Sequence, residues 1–404
     1  MPTPTARNLL ILVVFVFTAL VLPGCTREDG PDLAEPVASK GTTVSQPVRF
    51  TVKSKTTDLQ RRIAIGAAAP FVPNPPRQSV RGIYVSTFAA LSGSKMKSIH
   101  ALLNNTELNA VVLDVNSGAR LLSLTRTSDA KRFVRSETPA ARRLRAVVRD
   151  LKSRRVYVIA RIVSFKDSEA ALARPDLALK RKDGTVWTDR RGHAWLDPYN
   201  EEAWAYPAAL AQEAAAAGFD EVQFDYVRFP DIAANRDREI AYPYSRGRSK
   251  SEAIRQFLRY AAGEAHARGL RVSADVFGMV GSTTSDMGIG QRWVDLAPVS
   301  DVLSPMVYPS HYNNGTWGIP NPDLTPGPIV TKAMQDASKR NKVLRRQGKK
   351  PADVRPWLQG FTASWVQPHQ VYGPDQIREQ IRAAKQAGFP SYLIWNSSSR
   401  YPVF

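Results

Sequence analysis

One cysteine, Cys25, stands in 404 residues. An internal disulfide is therefore impossible, and beyond position 25 there is no thiol for a structural metal, redox chemistry or nucleophilic attack. Histidine is nearly as scarce: His100, His193, His266, His311 and His369 show neither HxH nor HExxH spacing. No metal site is expected, and metal-dependent deacetylation is a weak reading. Acidic residues are outnumbered, 36 against 56 basic ones, for a formal charge of +20. The Lys and Arg residues are scattered through helix-like segments without a basic-aromatic motif, so nucleic acid is not an expected partner. Attraction to an anionic envelope or an acidic glycan is the milder inference. No glycine-rich nucleotide fingerprint follows the first strand-like run, and no cofactor is expected.

Long apolar runs are also missing, except at the start. Arg7 gives a weakly basic opening, Leu9 to Leu22 are apolar, and a small residue precedes Cys25. This is the pattern of a signal peptide over residues 1–24, too short for a comfortable bilayer span, and it predicts export. Leu22-Pro23-Gly24-Cys25 resembles the bacterial lipobox, which implies lipidation of Cys25 and anchoring to a membrane. Residues 25–79 are rich in Pro, Thr, Ser and Ala and read as a tether, with a short β-rich patch at "QPVRFTVKSKT".

From residue 80 to 404, short β-branched runs alternate with helical patterns. The runs are Arg81 to Thr87, Asn109 to Asn116, Val156 to Phe165, Glu221 to Phe229, Arg271 to Gly278, Asp301 to Pro309, Val354 to Thr362 and Ser391 to Asn396. Several helical patterns end in Gly just before a strand, as in "AAAAGFDEVQF" and "KQAGFPSYLIW". Eight such units in one stretch predict an α/β fold, a closed (β/α)8 TIM barrel, over an open doubly wound sheet. The expected state is a monomer.

The stretch "FDEVQFDYVRFPDI" sets charges directly behind an apolar run. Inside a parallel strand a charge is costly unless it sits at the strand end, where a barrel opens and builds its site. Polar groups recur at those ends: Asp114, Arg161, Asp225 with Arg228, Asp275, Tyr308 with His311, Gln359, and Trp395 with Asn396. Residues two apart share a face, so Gln223 projects with Asp225 and Ser273 with Asp275. Two carboxylates on neighbouring strands, aromatic residues near the mouth and no metal cluster point to glycoside hydrolysis. One group protonates the leaving oxygen and the other attacks or activates water. Arg161 or Arg228 would hold the second carboxylate ionised.

"FDEVQFDYVRFP", with "WLDPYNEEAW", "RVSADVFG" and "LSPMVYPSHY", resembles a bacterial family of glycoside-hydrolase-like TIM barrels that carry FDYVRFP after the fourth strand, distantly similar to the α-amylase superfamily. The resemblance spans Val80 to Phe404. It implies Asp225 as nucleophile or base and Asp275 as acid, although amylase-like barrels usually place Glu at the fifth strand.

Around this pair several side chains have two readings. Asp114 either orients a sugar or caps a helix beside Asn116 and Ser117. His311, with Tyr308, Tyr312 and Trp317, lies in a loop that either forms a binding wall or seals the rim. Asp197 reads as a turn or cap residue, and Trp195 as wall or packing. The expected partner is a polysaccharide or oligosaccharide of the cell envelope or surroundings, acidic ones included; the alternative is a barrel that binds glycan without cleaving it.

Overall fold

The computed structural model describes residues 79–124 and 134–404. The signal peptide, Cys25 and all but the last tether residue lie outside the described residues. Eight parallel strands form the barrel: β1 (Arg81–Val85), β2 (Ala110–Asp114), β3 (Tyr157–Val163), β4 (Glu221–Asp225), β5 (Arg271–Phe277), β6 (Val302–Val307), β7 (Trp357–Gln359) and β8 (Tyr392–Trp395). Each pairs with the next in chain order, and β8 pairs with β1, which closes the sheet.

All eight predicted runs are strands, but two are cut short for local reasons. β4 stops at Asp225 because Tyr226 adopts φ +48°, a left-handed conformation unfavourable for an aromatic residue and unable to continue a strand. The seventh run is broken at Pro356: Asp353–Val354 pair with the start of β6, and β7 resumes pairing at Trp357. Proline has no N–H for the ladder.

Among the described residues six long helices cover the sheet: α1 (Gly93–Asn105), α2 (Pro139–Ser153), α3 (Glu201–Ala217), α4 (Lys250–His266), α5 (Pro326–Arg346) and α6 (Pro374–Gln386). Only short helical turns, Gly278–Gly281, Trp293–Leu296 and Ala297–Val299, stand between β5 and β6. In α2, Thr138 accepts the Ala141 N–H as N-cap, Pro139 opens the helix, and Leu144, Val148 and Leu151 line its buried face. That spacing is one side of a 3.6-residue helix, and each such side chain contributes about 1.5–3 kcal/mol on burial. α3 ends on Gly218 at φ +93°, where only glycine is unstrained, and β4 begins three residues later.

The register sets the site. Asp114 lies beside Arg161, Arg161 beside Gln223, Val163 beside Asp225, and Ser273 beside Gln223. Continuing that last pairing one step past the Ala274 to Phe224 pair brings Asp275 level with Asp225. The side chains alternate in and out along each strand. Tyr84, Val112, Ile159, Tyr308, Trp357 and Leu393 form an apolar cluster that runs across the barrel.

Candidate active site

At the C-terminal end of the strands, three carboxylates and one guanidinium meet. Arg161 donates from Nη1 to Asp114 Oδ1 at 2.5 Å, and from Nε and Nη2 to Asp225 Oδ2 at 3.0 and 2.5 Å. Asp225 Oδ1 accepts the Tyr226 N–H at 2.5 Å, which the turn at Tyr226 aims back at it. Asp114 Oδ2 accepts the Tyr84 hydroxyl at 2.5 Å. Burial alone would lower the Arg161 guanidinium, but Asp114 and Asp225 overcome this and hold it above its ordinary value, so it stays charged.

Asp275 is different. It is 1% exposed, and its Oδ1 accepts the Trp357 indole N–H at 2.7 Å. Burial pushes its carboxyl well above the usual range, and the negative charge of Asp225 pushes the same way; the Trp357 donor and Arg161 oppose without cancelling. Neighbouring carboxylates in one hollow thus have divergent environments: Asp225 bonded to a permanent cation, Asp275 inclined to keep its proton.

Rings enclose this cluster. Trp395 stacks on Tyr84 at 4.0 Å between centroids, stands edge-on to Trp357, and lies 5.1 Å from the Arg161 guanidinium carbon. Tyr308 is buried, and burial followed by Asp275 and Asp225 raises its hydroxyl well above the ordinary phenol value. His311 stands edge-on to Tyr308 at 5.2 Å, with its Nδ1 3.0 Å from the Ser310 hydroxyl, and burial lowers its ring to about 4.

Other predicted residues are engaged elsewhere. Asn396 donates to the Gly360 carbonyl at 2.6 Å and accepts from the Ser398 N–H and hydroxyl, joining the ends of β7 and β8. Arg228 lies past the Tyr226 turn, donates to the Phe229 carbonyl at 2.9 Å, and is ringed by Phe277, Tyr226 and Trp195. Of the two arginines considered as partner for Asp225, it is Arg161 that bonds to it. Asp197 Oδ1 accepts the Tyr199 N–H in the turn before α3, whose N-cap is Asn200; burial raises the Asp197 carboxyl to about 7.

Sequence reasoning missed Tyr84, Trp357 and a second charged layer at the N-terminal end of the strands. There Glu221 pairs with Arg355, and accepts the Ser273 hydroxyl at 2.5 Å and the Tyr157 hydroxyl at 3.0 Å. The period-2 rule that joined Gln223 to Asp225 reaches Glu221 as well, so the signal was present.

Residues 82–401 match a family described as "Putative glycosyl hydrolase domain". No curated protein matches the chain. A hypothetical protein from Ruminiclostridium thermocellum is 32% identical, over 48% of this chain and 97% of its own, with a TM-score of 0.39. The glycoside hydrolase domain of PgaB (BpsB) from Bordetella bronchiseptica is 14% identical, over 80% of this chain and 95% of its own, with a TM-score of 0.55. At that identity the likeness to PgaB is one of fold.

Proposed function

The chain belongs to this glycosyl hydrolase domain family through residues 82–401, and from that premise we propose that it hydrolyses O-glycosidic bonds of a polysaccharide with Asp225 and Asp275 as its working carboxylates. The observation that carries the reading is the contrast between the two: Arg161 donates twice to Asp225, while burial and the charge of Asp225 raise Asp275. A glycosidase needs such a pair, one carboxyl protonated to release the leaving oxygen and one ionised to meet the developing positive charge at the anomeric carbon. Asp275 is the acid and Asp225 the nucleophile or base.

Arg161 donates twice to Asp225 and fixes Asp114 beside it. Trp395, partly exposed and backed by Tyr84, provides ring surface against which a sugar packs. The substrate is a glycan of the cell envelope or its surroundings, and Cys25 carries the lipid that holds the enzyme to a membrane; both follow from the export signal and Leu22-Pro23-Gly24-Cys25. Cys25→Ala should then move the protein from the membrane fraction to the soluble one. Persistence in the membrane fraction rejects the anchor.

The decisive experiment assays the whole chain against a broad glycan panel, then compares Asp225→Asn and Asp275→Asn. Each should lower turnover by about 10²–10⁴-fold while the folded barrel remains. Wild-type rates in either variant reject the assignment. A non-catalytic glycan-binding barrel is the second reading. It draws support from the 1% exposure of Asp275 and from the engagement of both Asp225 oxygens. It predicts glycan affinity with no hydrolysis across the panel.

A further inference from the structure

Just outside Asp225, two cations are held against the same pair of rings. Arg228 is 8% exposed, and its guanidinium carbon lies 4.8 Å from the Phe277 ring centroid, 5.1 Å from Tyr226 and 5.2 Å from Trp195. Lys166 Nζ lies 5.1 Å from the Tyr226 centroid and 5.8 Å from that of Trp195. The segment carrying Lys166 runs beside the end of β4, since the Ser164 N–H donates to the Asp225 backbone carbonyl at 2.8 Å and the Phe165 N–H to the Tyr226 carbonyl at 3.4 Å.

Neither cation is well matched by the protein. A guanidinium carries five N–H donors. That of Arg228 makes one hydrogen bond among the described residues, to the Phe229 carbonyl. Burial lowers its ordinary value, against the charges of its acidic neighbours Asp231, Asp225 and Asp189. Lys166 Nζ forms a long ion pair with Asp189 Oδ2, at 3.7 Å. Asp189 is already occupied: its Oδ1 accepts the Arg191 and His193 N–H groups and its Oδ2 faces the Trp195 indole N–H at 3.4 Å. Burial lowers Lys166 too; the charge of Asp189 opposes this and the like charge of Arg228 adds to it. Two neighbouring cations, with one hydrogen bond made by Arg228 and one 3.7 Å ion pair made by Lys166, keep N–H donors to offer an entering anion.

The geometry points to a subsite for an anionic sugar next to the reacting bond, in which Arg228 and Lys166, held in place against Trp195 and Tyr226, take a carboxylate substituent. This rests on the hydrolase reading and narrows its substrate to acidic glycans. A carboxylate suits the planar fork of Arg228, and the chain's charge of +20 would draw such a polymer in.

Binding, not turnover, tests it. The full chain bearing Asp275→Asn is titrated with hexuronate oligosaccharides, each beside its carboxyl-reduced counterpart, and with a glycerol-phosphate polymer. At least one hexuronate should bind tenfold or more tightly than its reduced form, with an affinity that falls as salt rises. Arg228→Gln should remove about tenfold of that preference, and Arg228→Lys should restore part of it. Lys166→Gln, at a side chain 19% exposed, serves as a second variant if Arg228→Gln does not fold. Equal binding within every pair, or an unchanged preference in both variants, overturns the subsite; binding of the phosphate polymer alone overturns the carboxylate. A preference for hexuronate in a protein that hydrolyses nothing would keep the subsite and sink the hydrolase reading. Hydrolysis of glycans together with equal binding within every hexuronate pair would do the reverse.

Discussion

The barrel holds charge at both ends, and the two ends treat it in opposite ways. At the floor, Glu221 is fully buried, and four donors meet its two oxygens: two from Arg355 and one each from Ser273 and Tyr157. Burial alone would raise this carboxyl, but Arg355 above all, with Arg271 and Ser273 beside it, holds it below its ordinary value. At the mouth, Arg161 is shared between Asp114 and Asp225, and Asp275 receives one indole donor. The floor has matched its charges and the mouth has a surplus of carboxylate. A matched buried pair fixes structure; an unmatched one leaves a proton to be held or given, which is what chemistry requires.

The sharpest break of this comparison is at the floor. Glu221→Gln leaves the nearly inaccessible Arg355 guanidinium without its counter-charge, and should cost about 3–5 kcal/mol of stability, read as a lower denaturation midpoint in urea. A loss under about 1 kcal/mol would mean that the floor is not the anchor its geometry suggests. At the mouth the same kind of change should act the other way. Asp275 titrates above its unfolded value, so the stability it contributes is whole below about pH 4 and is lost as pH climbs through the folded value. Asp275→Asn keeps the acceptor for Trp357 and removes the buried charge. At pH 8 it should therefore stabilise the protein by about 1 kcal/mol, or roughly 2–4 °C in Tm, and the gain should vanish near pH 3. Destabilisation at pH 8 would show that the mouth is matched after all.

The fold was legible because its signals are local. β-branched runs mark all eight strands, and Gly218 and Gly388, both at strongly positive φ, mark helix ends before β4 and β8. The convergence of Asp114, Arg161, Asp225 and Asp275 follows from alternation along a strand once the barrel closes. What the alternation does not carry is contact across the hollow. Trp357 reaches Asp275 from two strands away, and Arg355 reaches Glu221 from 134 residues away. Both depend on barrel width and register. Nor does composition reveal that Tyr226 adopts a left-handed turn, which sends Arg228 away from Asp225 and into the rings.

The smallest change tests how finely the mouth is set. The Trp357 indole donates to Asp275 Oδ1, and a donor to a carboxylate favours its ionised form, so it restrains the rise that burial and Asp225 impose. Trp357→Phe removes the donor while keeping a ring edge-on to Trp395. Asp275 should then hold its proton to higher pH, and the basic limb of the kcat/KM profile should move upward, with little change on the acidic limb. Independently of turnover, the carboxyl carbon of Asp275, followed by NMR, should titrate later in the variant. A limb that moves downward would show that Asp275 is not the group that donates the proton, because no loss of a hydrogen-bond donor makes a buried carboxyl more acidic.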